Sequence, residues 1–229
     1  VALAGNRISL LMLILILGII FLFEKELKKI LIMISIISIA AVIYVFKEPN
    51  EFRHHYKNFA SDAVEIINYS KAKILNKEIN NTNVHIKEIE SGFLTWEENK
   101  IIGGGVKSFR WVCSNIDRSK ALKIVSKRGG LNCNNHPHNY YIQLAAELGL
   151  VGILIFIVLL ISLISKSIIK LTYFKNDTVS YKLLLVFFIL FICEVFPLKT
   201  TGSFFTTFNS SYIFLILPFI SGLLDQKRK

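Results

Sequence analysis

Five apolar runs separated by basic connections constrain this chain more than any other feature. They are Ile8 to Phe23, Ile30 to Phe46, Tyr141 to Ile164, Leu183 to Pro197 and Phe208 to Leu224. A bilayer core of about 30 Å takes a helix of roughly 20 residues. The first, second and fourth runs are short and borrow flanking residues to reach that length. With 53% hydrophobic residues and a mean hydropathy of +0.52, the chain is too apolar for a soluble domain. The expected fold is an all-α integral membrane protein. The first residue is Val1, and no charged n-region or small-residue cleavage site marks a signal peptide. The expectation is therefore a fragment whose N-terminal part is missing.

Orientation follows from charge. Lys25, Lys28 and Lys29 lie between the first two runs, and Lys166, Lys170, Lys175 and Lys182 between the third and fourth. Lys227, Arg228 and Lys229 close the chain. Short Lys- and Arg-rich loops stay in the cytoplasm, whereas long loops cross regardless of charge. Val1 to Arg7, the long segment Lys47 to Asn139 and the loop Leu198 to Thr207 then share the external face. Three regions result: 1–46 with two membrane helices and a cytoplasmic turn, 47–140 as a large external loop, and 141–229 with three helices and a basic tail. Within the loop, Asn50 to Leu75 has helical apolar spacing. Asn80 to Asn83 is a break, and Ile101 to Gly105 and Arg128-Gly129-Gly130 are turns. The loop is too small for an independent enzyme and is expected to fold back over the membrane helices.

The net charge is +11. No nucleic-acid-binding signature accompanies it, so phosphate-bearing lipid is the better partner. Cys193 lies in an apolar run and reads as a small hydrophobe. Cys113 and Cys133 lie in the external segment, where oxidising conditions favour a disulfide between them.

The chemistry concentrates at His136-Pro137-His138-Asn139, just before the third run. Proline suits the first helical turn, which puts both histidines at a helix N-terminus on the membrane surface. Imidazole moves protons near neutral pH. Asn139, Gln143 and Glu147 recur every four residues and share one helix face. Glu147 sits about 12 Å deeper than Asn139 at about 1.5 Å per residue. An ionisable residue at that depth reads as functional. The competing reading makes the histidines structural caps.

Arg7 precedes the first run on the same external face. It is either an interfacial anchor or a phosphate clamp, since guanidinium binds phosphate bidentately. Gly103-Gly104-Gly105-Val106-Lys107-Ser108 lacks the glycine before lysine that a phosphate-binding P-loop requires; a turn is expected. A metal site from Cys113, Cys133, His136 and His138 has the wrong spacing for zinc, so no metal and no cofactor are expected.

His138-Asn139 with Glu147, Gly149 and Gly152 resembles the signature of the O-antigen ligase and O-antigen polymerase superfamily. Gly5-Asn6-Arg7 is similar to the family's Ser-Arg motif. Trp96, Gly103-Gly104-Gly105 and Phe109 resemble the stretch before the histidine in its large periplasmic loop. The resemblance covers most of this chain but only the C-terminal half of a typical member. It implies a GT-C-type bundle in the bacterial inner membrane, with its active site on the periplasmic face. The implied enzyme is a metal-independent, inverting glycosyltransferase. It implies an undecaprenyl-pyrophosphate-linked glycan as donor and lipid A–core, or another carrier-linked glycan, as acceptor. His138 would be the base that activates the acceptor hydroxyl, and Arg7 would steady the pyrophosphate. Helical projection alone favours His136, so both are candidates. Where the family carries a second arginine before the loop tryptophan, this chain has Ser91-Gly92-Phe93. Arg110 or Arg53 would have to supply that cation. Asn139, Gln143 and Glu147 complete the expected substrate-binding set.

O-antigen ligation is the leading expectation. O-antigen polymerisation, or the related protein O-oligosaccharyl transfer, is the nearest alternative. A proton-coupled transporter or sensor, with His138, Gln143 and Glu147 as relay, comes from another class. A structural membrane subunit is the third.

Overall fold

The computed structural model describes residues 7–47, 61, 64–65, 67–69, 71, 84–116, 131–174, 178–197 and 202–226. The chain divides into two compact units, Val1–Ile67 and Asn68–Lys229. All elements among the described residues are helices.

In the first unit, α1 (Arg7–Phe23) and α2 (Lys28–Lys47) pack together. Residues 24–27 make the turn, closed by Glu24 N–H donating to Ile20 O (2.7 Å) and Leu31 N–H to Leu27 O (2.9 Å). Helix α2 exposes Ile30, Ile32, Met33, Ile36, Ile37, Ile39 and Ile43. A helix apolar on every side suits lipid, not water.

The second unit holds α3 (Val84–Glu98), α4 (Phe109–Asn115), α5 (Tyr140–Tyr173), α6 (Thr178–Glu194) and α7 (Thr207–Asp225). Helices α5, α6 and α7 pack against one another, while α3 and α4 lie together on the first turns of α5. Leu184, Phe188, Phe191, Ile216 and Ile220 fill the bundle, and the Phe187 and Phe219 rings stack at 4.6 Å. The lipid-type surface of α5 is Leu150, Val151, Leu154, Ile155, Val158, Leu159 and Ile161, all exposed. A second cluster of Leu94, Phe109, Cys113, Ile116 and Ala146 joins α3, α4 and α5.

Tyr140–Thr172 and Thr207–Asp225 are long and apolar enough to cross a bilayer; Leu11–Phe23 is a shorter apolar helix. The chain is a helical membrane protein. Each of the five apolar runs coincides with a helix, but two corrections follow. Helix α5 is not one continuous rod: Gly149 takes φ 66° and ψ −164°, dividing it into 140–148 and 150–173. And α3, which apolar spacing did not flag, is a full helix. Within the expected helix Asn50 to Leu75, the described positions are helical; the rest of that stretch, Asn80 to Asn83 and Arg128 to Gly130 lie outside the described residues.

The break in α5 is made by the triple-glycine turn. Lys100 O and Ile101 O accept from Leu150 N–H (2.8 Å) and Val151 N–H (3.1 Å). Gly104 N–H and Gly105 N–H donate to Ala146 O (3.2 Å) and Glu147 O (2.8 Å). Backbone groups freed by the break are thus satisfied by one loop, as burial requires. Gly103 (φ 71°), Gly105 (φ 99°) and Lys107 (φ 63°) give that loop its left-handed turns.

Candidate active site

The residues leading to the histidines are held from three sides. Asn132 N–H donates to Ser91 Oγ (2.8 Å), and Asn132 Nδ2 to Glu88 Oε1 (3.3 Å), both on α3. Cys133 is joined to Cys113 of α4, with Cα atoms 5.5 Å apart. Arg110 Nη1 donates to Asn135 Oδ1 (3.2 Å). Pro137 is buried at the crossing of α3 and α5. Gly92 permits that crossing, because a Cβ there would lie 2.1 Å from Ile142 Cγ2.

The proline is not in the first helical turn. Helix α5 starts at Tyr140, and Asn139 is its N-cap: Asn139 Oδ1 accepts from Tyr141 N–H (3.0 Å) and Ile142 N–H (3.2 Å). An Asn cap outcompetes a proline start because it satisfies two otherwise orphaned donors. Asn139 Nδ2 also donates to Pro197 O (2.7 Å), and Tyr141 OH to Val195 O (2.5 Å), tying the helix start to the end of α6.

His138 sits between proline and cap with φ 51°, a left-handed backbone uncommon for a residue with a side chain. Strained backbone of this kind persists where surrounding contacts hold it, and it gathers at functional sites. The His138 side chain is 39% exposed, with Nε2 3.9 Å from Glu88 Oε1. The His136 ring lies 4.4 Å from the His138 ring, tilted by 55°. His136 Nε2 is buried and has no hydrogen-bond partner among the described residues. Burial pushes the His136 imidazole below its usual pKa; proximity to His138 adds to this, and the Glu88 carboxylate opposes it. Together these effects favour the neutral form of His136 beside a partly exposed His138.

The polar stripe of α5 lies on one face, and its groups are engaged by the chain itself. Gln143 and Glu147 are fully buried. Gln143 Nε2 donates to Ser203 Oγ (2.7 Å) and Glu147 Oε1 (3.1 Å), and its Oε1 accepts from Phe204 N–H (2.8 Å). Glu147 Oε2 accepts from Lys107 N–H (2.6 Å), and the carboxylate also accepts from Phe109 N–H at the start of α4. A carboxylate at a helix start complements the helix dipole. Gln143 therefore fastens the loop before α7, and Glu147 fastens the glycine turn and α4.

Of the arginines, Arg110 is exposed and lies 5.2 Å over the Trp111 ring. Arg7 is the first residue of α1, in the other unit, and its side chain lies outside the description; Arg53 lies outside the described residues altogether. In Ser91-Gly92-Phe93, Ser91 anchors Asn132, Gly92 permits the helix crossing, and Phe93 packs on Trp96 at 5.4 Å. Cys113 and Cys133 are consumed in their disulfide and hold no metal. Sequence reasoning missed Glu88, Ser91 and Asn132. Buried Ile86, Glu90 and Leu94 at four-residue spacing were the signal for α3.

The family model described as O-Antigen ligase matches residues 1–157. The chain belongs to the O-antigen ligase family. The match takes in α1, α2, the polar segment with both histidines, and α5 through its break. No curated protein and no solved structure matches the chain. Family membership makes it a membrane glycosyltransferase of the O-antigen ligase and polymerase type, whose partners are a lipid-linked glycan and a glycan acceptor.

Proposed function

We propose that this O-antigen ligase family member moves a glycan from undecaprenyl pyrophosphate to a hydroxyl of lipid A–core, with His138 as the base. The acceptor O–H gives its proton to the His138 imidazole. Its oxygen forms the new bond to the anomeric carbon, and the bond to the pyrophosphate oxygen breaks. The pyrophosphate leaves with the electron pair, and the carbon is inverted. No metal takes part in this scheme. The observation that carries the reading is His138 itself: a partly exposed imidazole, fixed in a left-handed backbone at the start of α5. Burial, with His138 nearby, holds the His136 imidazole below its usual pKa, which favours the neutral ring beside His138.

Arg7, by its family motif, is the cation that steadies the departing pyrophosphate, with Arg110 or Arg53 as second contact. Asn139, Gln143 and Glu147 position the site through the bonds they make within the protein. Those bonds favour the transferase over a proton relay, which would need Gln143 and Glu147 to exchange partners. The arrangement we propose is a GT-C-type bundle in the bacterial inner membrane. Regions 1–46 and 141–229 cross it, and 47–140 covers the periplasmic face.

The test is the lipopolysaccharide profile of a strain lacking the full-length gene, complemented with wild type or His138→Ala. Bare lipid A–core with accumulating carrier-linked polymer supports ligation. Core capped with a single repeat replaces ligation by polymerisation. An unchanged ladder removes His138 from the chemistry.

A further inference from the structure

We propose that Glu88 is the positioning carboxylate of His138, orienting the imidazole so that Nε2 faces Glu88 and Nδ1 faces the acceptor hydroxyl. The inference rests on His138 being the base. Three observations carry it. Glu88 lies on α3, one turn before Ser91, and both side chains face the segment that carries the histidines. Glu88 Oε1 meets both ends of that segment, accepting from Asn132 Nδ2 at 3.3 Å and lying 3.9 Å from His138 Nε2. And His138 is held in a left-handed backbone (φ 51°) within the segment that α3 anchors.

A neutral imidazole has one N–H and one lone pair, and the partner of the N–H decides which nitrogen is the base. A carboxylate on one nitrogen fixes the ring and stabilises the imidazolium that forms when the other takes a proton. At 3.9 Å the pair is within ion-pair reach but longer than a hydrogen bond. Pairs of this kind tighten when substrate is bound. Glu88 is 13% exposed on its side chain and His138 39%, so water screens the pair from the His138 side. It touches neither donor nor acceptor and acts only through the ring.

The experiment uses the full chain in liposomes, with a purified polyprenyl-pyrophosphate-linked glycan as donor and rough lipopolysaccharide as acceptor. Rates are compared for wild type, His138→Ala, Glu88→Gln and Glu88→Asp. Glu88→Gln keeps the size of the side chain and an oxygen for Asn132 while removing the charge. The expected result is a fall in kcat of about 10-fold or more, short of the roughly 10⁴-fold that follows when the hydrogen-bonded carboxylate of a Ser-His-Asp triad becomes an amide, because this pair is longer than a hydrogen bond, with the donor KM within about twofold of wild type. Glu88→Asp should recover part of kcat. It also serves alone, against His138→Ala, if the Gln variant fails to fold. A Glu88→Gln enzyme at full kcat beside a dead His138→Ala overturns the inference and leaves the base assignment standing. A raised KM at unchanged kcat, or no recovery by Glu88→Asp, also overturns it. An active His138→Ala enzyme removes the base assignment, and the role of Glu88 with it.

Discussion

Replacing Gly149 by alanine should damage this protein more than a glycine-to-alanine change in a helix ordinarily does. In a regular helix that change is favourable by up to about 1 kcal/mol. Here Gly149 holds φ 66° and ψ −164°, a conformation almost confined to glycine, and forcing another residue into it costs about 1–3 kcal/mol. The new Cβ would also lie 2.3 Å from Ile101 O, 2.4 Å from Ile101 C and 2.5 Å from Gly103 N. These are backbone atoms, so the turn itself must move. That endangers the bonds from Leu150 N–H to Lys100 O and from Val151 N–H to Ile101 O, each worth about 1 kcal/mol. The net expectation is a loss of about 2–4 kcal/mol, or about 4–16 °C in the melting temperature at this size. Thermal melts of the purified full chain in detergent would measure it. Two controls separate the causes. Gly105 has φ 99° but open space around a Cβ, so Gly105→Ala reports strain alone. Gly18 lies inside α1 with neither positive φ nor neighbours, so Gly18→Ala should stabilise by up to about 1 kcal/mol. If Gly149→Ala melts at or above wild type, α5 straightens without loss. The claim that the glycine turn builds the break would then be refuted.

Other perturbations address the ties around the histidines. The disulfide closes a separation of 20 residues, so Cys113→Ser with Cys133→Ser should lose about 3 kcal/mol by chain entropy; a melt unchanged by reductant contradicts this. Glu147→Ala removes the acceptor of the part-buried Lys107 N–H and of the N–H of buried Phe109 and should cost about 1–3 kcal/mol; Glu147→Gln, which keeps an acceptor, should melt closer to wild type. His136 has a pKa lowered by folding. Its unfolded form therefore binds a proton first, and its contribution to stability is present above about pH 6.5 and lost as pH falls through the folded value. The melting temperature of wild type should accordingly fall more steeply than that of His136→Asn between pH 7.5 and 5; parallel curves would contradict the shift.

The membrane helices were legible because lipid imposes a local rule. An apolar run marks each membrane helix, and α1, α2 and α7 start and end within a few residues of those runs, while α6 starts earlier, at Thr178, and α5 continues past Ile164 to Tyr173. The break in α5 was not legible, because apolar composition continues unchanged through Gly149 and its cause is a turn near residue 101. A sequence window sees neither the two carbonyls nor the N–H groups they take. Glu88 escaped for a related reason. In sequence it is one charge among Lys87, Glu90 and Glu97, and reads as solvated surface. Only the packing of α3 on α5 makes that face an interior one.

The same non-local logic decides how the site is built. His138 is positioned by few contacts of its own. Its segment is held at Asn132 by α3, at Cys133 by α4, at Asn135 by Arg110 and at Asn139 by the end of α6. Helix α4 is itself capped by Glu147, and the loop before α7 is fastened by Gln143. The polar stripe of α5 therefore links the helix break to the segment that carries the histidines. Charge in that stripe matters because buried polar groups must find partners, and here the partners are the loops that frame the histidine. A substitution at Gln143 or Glu147 should then lower activity by moving His138, whether or not either side chain ever meets the glycan.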